Sequence, residues 1–428
     1  MFSAKHIVYG GGFMKSLIKR FFPSSYNDIY QQNMYYFITN GILFTLVVNL
    51  YKPFAQKILY RLGGGETHVS LYNSLPGLIA LFGIIPGVLY MCKAVNRKKT
   101  LTGIFLFSRF FILLYALVPF LPVNLRPITF VIITALMNFP EAVSSTALQS
   151  VTADVFGERE RAWAITSKNR YTTVANFLSL IVLSQILNIF GTTNEKTIII
   201  YQVFFALAFI VGLFEIFTFR KLKETTQEPQ VCIDFKQSIK EVFSNKAYIG
   251  FLVCSLTFHF GWQMGWPLFS IYQIEYLLAD ETWITILSVT SSIVMFFSFP
   301  IWGKIINNKG NNYAASFATM GMAATPVLYA LSHNLWVLTV SGLIMGFFTA
   351  GTTTVLLSFL LEVSPKKNRI MYVAVHATLT NVTLFIAPLI GSAVLKSSNI
   401  YIALLITALM RFIGSLTFMN RIRLKRAA

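Results

Sequence analysis

Charged residues are scarce in this chain. Aspartate, glutamate, lysine and arginine together make up only 12% of its 428 residues, whereas 55% are hydrophobic and the mean hydropathy is +0.63. An average soluble domain has about twice this share of charged residues. The composition therefore excludes an ordinary soluble globular protein and indicates a chain that lies in a lipid bilayer.

Cysteine is also rare, and the common catalytic signatures are missing. Cys92, Cys232 and Cys254 include no closely spaced pair, so the sequence indicates neither a disulfide framework nor a metal site. It contains no phosphate-binding loop of the Gly-x-x-x-x-Gly-Lys-Ser/Thr type, no dinucleotide fingerprint and no His-Glu-x-x-His motif. We expect no enzymatic activity, no metal and no cofactor. Any driving force then comes from an ion gradient or from the solute gradient itself.

Hydrophobic runs of about 20 residues, the length of a membrane-spanning helix, are abundant. They predict an all-α membrane protein with twelve transmembrane helices in two pseudo-symmetric six-helix bundles. The predicted spans are 34–56, 69–92, 100–121, 127–150, 166–189, 197–219, 247–273, 282–306, 313–332, 336–361, 370–395 and 398–420.

The spacing of these runs predicts the division of the chain. We expect a cytoplasmic N-terminal segment at 1–33, a first bundle at 34–219, a cytoplasmic linker at 220–246, a second bundle at 247–420 and a basic cytoplasmic tail at 421–428. Within the first segment, residues 13–22 place their apolar side chains on one helical face. This pattern predicts a short amphipathic helix on the membrane surface.

Two features of the sequence recur about half a chain length apart. A proline precedes a polar turn between apolar runs at Pro86 and again at Pro300, 214 residues later, and the same shift relates Pro53 to Pro267. Further along, the segment 154–161 aligns with 362–369. Two related membrane halves are typical of many secondary transporters.

The charges lie mainly in the connections on one side of the predicted membrane. The formal net charge is +19, and most of the 35 lysines and arginines fall in alternate connections and in both terminal segments. By the positive-inside rule, both termini are expected to be cytoplasmic in a multi-pass protein of the plasma (inner) membrane. The basic residues then indicate contact with anionic lipid rather than with nucleic acid.

The polar turn between the eighth and ninth spans carries a family resemblance. Gly303-Lys-Ile-Ile-Asn307-Asn308-Lys-Gly310-Asn311-Asn312 resembles the signature turn of the major facilitator superfamily, Gly-x-x-x-Asp-Arg-x-Gly-Arg-Arg. Both glycines are present, but asparagines replace the aspartate and the arginines. The segments 154–161 and 362–369 are similar to the companion turns of that family. The resemblance implies a transporter whose gating residues are Gly303, Asn307, Gly310, Asp154, Arg161, Glu362 and Arg369.

The fourth span carries a polar stripe in an otherwise apolar helix. Its residues are separated by steps of three or four and therefore share one face: Thr134, Asn138, Glu141, Ser145 and Gln149. An ionisable residue at this depth is expensive and usually functional. We therefore predict that Glu141 couples transport to protons and that Asn138 and Ser145 line the substrate cavity. A protonated glutamate that only links two helices is the structural alternative.

The first and seventh spans carry polar residues at equivalent positions under the shift of 214. Thr45 and Asn49 correspond to His259 and Gln263. We expect Thr45, Asn49 and Gln263 to line a cavity on the pseudo-two-fold axis, with Trp262 and Trp266 as aromatic walls or as anchors at the membrane interface. His259 is a second candidate for proton coupling, with a neutral, hydrogen-bonded core histidine as the alternative.

Further polar residues extend the predicted cavity to Arg109, Asn176, Thr349 and Asn381. Arg109 needs an anionic neighbour or an aqueous crevice at its depth. The sequence thus predicts a monomeric secondary active transporter that moves a small polar or amphiphilic solute by alternating access, with proton coupling. A facilitative uniporter and a non-transporting membrane sensor or scaffold are the alternatives, and the fold alone does not identify the solute.

Overall fold

The computed structural model describes residues 29–94, 96–156, 158–223, 235–365 and 369–427. Nearly all of these residues are helical and no strand occurs in these ranges, which confirms the predicted all-α class. In chain order the helices are α1 (Ile29–Tyr51), α2 (Ala55–Arg61), α3 (Glu66–Lys93), α4 (Arg97–Tyr115), α5 (Arg126–Val155), α6 (Glu158–Phe190), α7 (Asn194–Lys221), α8 (Phe235–Ser244), α9 (Lys246–Ile271), α10 (Glu281–Ala323), α11 (Thr325–Leu331), α12 (Leu335–Val363), α13 (Arg369–Ser397) and α14 (Ile400–Ala427).

The helices are long and apolar enough to make this a multi-pass membrane protein. Within the described ranges, ten stretches have the length and hydropathy of a membrane span. One of them, Glu281–Leu331, is 51 residues long and contains two of the spans predicted from the sequence. Helix α9 is not among the ten, because polar residues such as His259 and Gln263 lower its hydropathy, although its 26 residues are enough to cross a bilayer.

The 51-residue stretch has a backbone break at the signature turn. Gly310 adopts φ 78° and ψ 163°, which is not helical. A positive φ of this kind is accessible to glycine at little cost. The first glycine of the turn, Gly303, has no positive φ, and a Cβ there would meet nothing within 4 Å.

Helix contacts follow one pattern before the linker and a similar pattern after it. Helix α1 packs on α6 and α7, α3 packs on α5, and α4 packs on α5 and α7; later in the chain, α9 packs on α13 and α14, and α10 packs on α12 and α14. Contacts of α3 with α13 and of α6 with α10 join the two sets. A Cβ at Gly77 would lie 2.7 Å from the carbonyl oxygen of Asn381, so glycine allows the close approach of α3 to α13.

Some predicted features lie outside the described residues. These are the amphipathic helix at 13–22, the central part of the linker, and the side chains of Asp154, Arg161, Arg369 and Gln149. The described end of the linker forms the ten-residue helix α8, in which Ser238 and Val242 are buried.

Candidate functional site

The polar stripe of α5 lines two cavities. Cavity A, of about 340 Å³, has Thr134, Asn138 and Glu141 in its wall. Cavity B, of about 440 Å³, has Asn138, Glu141 and Ser145. Cavity A extends toward the C-terminal ends of α1 and α9, the end predicted to be extracellular. Cavity B extends toward the opposite end, so Asn138 and Glu141 lie between the two cavities.

Both sets of helices contribute to these cavities. From the helices before the linker, cavity A includes Tyr51, Lys52, Gln56, Tyr72 and Asn73; from those after it, the cavity includes Trp266, Ser270, Gln273, Ile284 and Leu384. Cavity B lies mainly within the first set, and the second set contributes Asn381 to its wall. The walls combine amides, hydroxyls and aromatic rings, a combination that suits a solute with polar and apolar parts.

Glu141 has two partners on other helices. Its Oε1 accepts a hydrogen bond of 2.9 Å from the hydroxyl of Tyr51 on α1 and lies 3.9 Å from Nη1 of Arg109 on α4. The side chain is 25% exposed, so the carboxylate is accessible from a cavity. A polar contact fixes Asn138 as well, because its Nδ2 donates to the carbonyl oxygen of Pro76 at 2.7 Å.

Arg109 forms a buried ion pair with Glu215 on α7. Its Nε donates to Oε2 at 2.9 Å and its Nη2 to Oε1 at 3.1 Å, and the two side chains are 1% and 2% exposed. Gly212, one turn before Glu215, leaves room for this arginine, since a Cβ there would lie 2.7 Å from Arg109 Cδ. The sequence predicted either an anionic neighbour or an aqueous crevice for Arg109, and it did not identify Glu215.

Lys168 of α6 places a second cation in the wall of cavity B. Its Nζ lies 4.6 Å from the centroid of the Phe37 ring, a cation–π contact. No carboxylate of the described residues lies within 4.0 Å of this amine. The wall of cavity B therefore contains three kinds of charged group. These are the buried Arg109–Glu215 ion pair, the partly exposed carboxylate of Glu141, and the amine of Lys168, which has no ion-pair partner among the described residues.

Asn49 and Gln263 occupy equivalent positions in the helix packing. Both are buried. Nδ2 of Asn49 donates to Asn176 Oδ1 at 3.0 Å and to Ser179 Oγ at 2.7 Å, both on α6. Oε1 of Gln263 accepts from Thr383 Oγ1 at 2.6 Å on α13. The two amides, and Asn176 with them, thus link α1 to α6 and α9 to α13.

His259 belongs to a hydrogen-bonded cluster that joins α9 and α13. Its Nδ1 lies 2.7 Å from the carbonyl oxygen of Ser255, and the Ser255 hydroxyl lies 2.9 Å from Nε2 of His376 on α13. The two imidazole rings are 5.7 Å apart. Ser255 thus connects the two histidines of α9 and α13.

The other residues that the sequence places in the cavity do not all lie in one cavity of the structure. Thr45 bonds back to the carbonyl of Gly41 in its own helix, at 2.9 Å. Trp266 lines cavity A and, together with Trp262 and Thr349, a third cavity described below. Asn381 lines cavity B.

The turn residues differ in their surroundings. Asn307 is exposed. Glu362 accepts a hydrogen bond from Asn311, so the carboxylate at the end of α12 contacts the turn after Gly310. This contact uses one of the asparagines that stand where the family has arginines.

A cluster at the end predicted to be extracellular was missed by the sequence reasoning. Nε of Arg61 lies 2.6 Å from Oε1 of Glu281, the Tyr201 hydroxyl donates to the same oxygen at 3.2 Å, and Nζ of Lys57 donates to the carbonyl of Ala279 at 2.8 Å. The cluster joins α2 and α7 to the start of α10. The scarcity of acidic residues, 16 in the whole chain, was the one signal that could have drawn attention to Glu281.

A multi-pass helical bundle with polar cavities between its helices is typical of a membrane transport protein. The sequence pattern of the Major Facilitator Superfamily matches residues 37–311 and 251–427, and the chain belongs to this family. It is therefore a transport protein and not an enzyme.

Two relatives add detail. The tetracycline resistance protein, class H, of Pasteurella multocida is 33% identical over 92 residues, a match that spans 22% of this chain and 23% of that protein. A crystal structure of the nucleoside transporter NupG, in a variant form, superposes with a TM-score of 0.69 at 12% identity, covering 92% of this chain and 99% of that one. The second likeness is one of fold.

Proposed function

We propose that this protein is a twelve-span secondary transporter that moves a small polar or amphiphilic solute across the membrane by alternating access, with proton coupling through Glu141. The observation that supports this proposal best is the position of Glu141 in the walls of both cavity A and cavity B. A carboxyl group between two cavities can receive a proton from one side and release it to the other when access alternates.

The partners of Glu141 supply a mechanism for the coupling. With its carboxylate charged, Glu141 accepts the Tyr51 hydrogen bond and attracts Arg109. Protonation removes that attraction and loosens the contact between α1, α4 and α5. Because Arg109 keeps its ion pair with Glu215, the local structure persists while the cavity gains a net positive charge. Proton binding thereby changes both the helix contacts and the charge that a solute meets.

The length of the stretch Glu281–Leu331 supports the proposal of twelve crossings in two bundles. Its 51 residues would be about 75 Å long as one helix, more than twice the thickness of the hydrocarbon core. The break at Gly310 divides it into two spans of ordinary length. Counting these two and α9 gives the twelve spans, with 34–219 as the first bundle, 220–246 as the cytoplasmic linker and 247–420 as the second bundle.

Contacts between the proposed bundles support an end state that is closed at the extracellular end. Arg61 pairs with Glu281 there, and Nζ of Lys396 donates to Thr67 Oγ1 at 2.9 Å. Separation of these groups would open cavity A to that side by a rocking motion. The Asn311–Glu362 contact lies at the opposite end, within the second bundle.

The solute is sought first by ligand-induced stabilisation of the purified full-length protein in detergent, since a ligand that binds the folded state raises its melting temperature. Tetracycline and a set of nucleosides head the panel, because one relative is named a tetracycline resistance protein and the other a nucleoside transporter. Amino acids, sugars and small organic anions follow. The binder found is then used as substrate in proteoliposomes with an imposed pH gradient.

Glu141→Gln tests the coupling. We expect the variant to bind the solute and to exchange it across the membrane, but to lose accumulation driven by the pH gradient. Glu195→Gln, which neutralises an exposed carboxylate at the start of α7, serves as the control and keeps that accumulation. Unchanged proton-driven accumulation in Glu141→Gln would refute the coupling role. If the wild type transports the solute at a rate that does not depend on the pH gradient, the protein is instead a facilitative uniporter.

A further inference from the structure

Arg411 of α14 is a cation in the interior of the second set of helices. Its side chain is fully buried. Nε donates to the carbonyl oxygen of Gly261 at 3.1 Å, Nη2 to that of Trp262 at 2.9 Å and Nη1 to that of Met322 at 3.1 Å. The guanidinium also lies 5.1 Å from the centroid of the Phe269 ring.

The surrounding sequence explains why an arginine fits at this position. Pro326 has no N–H, so the carbonyl of Met322, four residues earlier, receives no regular helical hydrogen bond from it. This carbonyl accepts instead from a backbone N–H at the end of α10 and from Arg411. On α9, a Cβ at Gly261 would lie 2.6 Å from the backbone nitrogen of Arg411, and one at Gly265 would lie 3.0 Å from Nη2. Two glycines and one proline thus accommodate this side chain.

The hydrogen bonds leave the charge of Arg411 without a counterion. Among the described residues, no carboxylate lies within 4.0 Å of the guanidinium. Carbonyl oxygens accept three of its five N–H groups. A buried charge that is hydrogen-bonded but not neutralised remains costly. A binding partner with a negative charge would remove that cost.

A cavity next to Arg411 is large enough to hold a small negatively charged ligand. Cavity C has a volume of about 290 Å³ and is lined by Arg411, Tyr329, Ser288, Ser291, Trp262 and Trp266, among others. Tyr329 accepts a hydrogen bond from Gln273 at 2.7 Å, so its own O–H is available to donate. Ser288 and Ser291 are one turn apart on α10, and neither hydroxyl has a partner among the described residues. The wall therefore presents hydroxyl donors beside an arginine.

We propose that cavity C binds a small monovalent anion, a halide or the carboxylate of a small solute, with Arg411 as its counterion and the hydroxyls of Tyr329, Ser288 and Ser291 as further donors. The aromatic walls formed by Trp262 and Trp266 would accommodate the apolar part of a carboxylate ligand. This site is independent of Glu141, and its test requires no transport. Its failure would therefore leave the proposed proton coupling untouched.

The test measures anion binding by the purified full-length protein in detergent. Melting temperature is followed while sodium chloride, or in a second arm sodium benzoate, replaces sodium sulfate at constant ionic strength. We expect a saturable rise in the wild type, and an apparent affinity about 10- to 100-fold weaker in Arg411→Gln, because a charge-assisted contact is lost. Arg421→Gln, which removes the same charge from the same helix at a side chain that donates to the carbonyl of Ala247, keeps the wild-type response.

The two arms distinguish the sources of the anion. Saturation by chloride alone identifies a halide site, whereas saturation by benzoate identifies a site for a solute carboxylate. If Arg411→Gln does not fold, the double substitution Ser288→Ala with Ser291→Ala keeps the arginine and should weaken binding about tenfold. In crystals of the wild type grown in bromide, we expect a bromide peak in the electron density beside Arg411. No bromide peak beside Arg411, together with a melting response unchanged by the serine substitutions, would mean that Arg411 only ties α9, α10 and α14 together.

Discussion

Tyr51 donates a hydrogen bond of 2.9 Å to Glu141, and this contact joins α1 to α5 where cavity A meets cavity B. The ring of Tyr51 stacks on that of Tyr115 at a centroid distance of 6.2 Å. The hydroxyl of Tyr115 forms a hydrogen bond of 2.8 Å with Oγ1 of Thr134. The two tyrosines are therefore similar in position and differ in the group that each hydroxyl contacts.

Substitution of Tyr51 by Phe should weaken proton-driven uptake. The ring and its stacking remain, but Glu141 loses the hydroxyl that links its carboxyl group to α1. We expect the rate of proton-driven uptake in proteoliposomes to fall about tenfold, because one hydrogen bond to a charged group is lost. Tyr115→Phe removes a hydroxyl that bonds to Thr134 and should leave that rate unchanged. Equal losses in the two variants would show that the effect is not transmitted through Glu141.

The sequence predicted those features that follow from one helix alone. The stripe that contains Asn138 and Glu141 was identified because residues three and four apart share a face, and that face does line the cavities. Gly310 was identified as part of a turn, and its positive φ agrees with a role that favours glycine. The hydrophobic runs were identified because a helix in lipid needs apolar side chains over its whole length.

Features that depend on a second helix were not predictable in the same way. The sequence predicts that Asn49 and Gln263 line a cavity, and it gave no sign of the hydrogen bonds that their amides form with α6 and α13. Helical periodicity identifies a polar face but not the neighbour that it contacts. The partner of Arg109 is 106 residues away in the chain, and that of Arg61 is 220 residues away. No local pattern reports such a separation.

Removal of one partner of the Arg109–Glu215 ion pair should destabilise the protein more than removal of both partners. Both side chains are almost fully buried, so Arg109→Gln leaves an unpaired carboxylate and should lower the free energy of unfolding by about 3–5 kcal/mol. The double variant, Arg109→Gln with Glu215→Gln, should recover most of this loss. Reversible unfolding in mixed micelles measures Arg109→Gln, Glu215→Gln and the double variant. Additive losses in the double variant would contradict a direct pair.

The packing of α10 on α12 depends on a glycine beside a buried tryptophan. A Cβ at Gly351 would lie 2.1 Å from Cε2 of Trp302, whose ring is buried and whose Nε1 donates to the carbonyl of Phe347 at 2.9 Å. Gly351→Ala should therefore cost about 1–3 kcal/mol of stability. Gly342→Ala, in the same helix, places its methyl where nothing lies within 4 Å, and should be neutral or stabilising. We expect a lower melting temperature for Gly351→Ala than for Gly342→Ala in the same detergent. Equal values would show that α10 and α12 do not pack as described.

The contact of Arg61 with Glu281 should control access to cavity A from the extracellular end. The pair joins α2 to α10 and is partly exposed, with side chains 23% and 9% accessible, so it stabilises the closed end by about 1 kcal/mol. Glu281→Gln should then raise the open population about fivefold. The readout is the rate at which a membrane-impermeant thiol reagent, added outside, modifies a cysteine placed at Gln273 in cavity A. The experiment uses a background without Cys92, Cys232 and Cys254.

Arg126→Gln is the matched control, because Arg126 donates to the carbonyl of Leu121 in its own loop and does not join the two sets of helices. A rate that rises equally in both variants would reflect a general change in charge at that surface, and a rate that rises in neither would show that the Arg61–Glu281 contact does not hold this end closed.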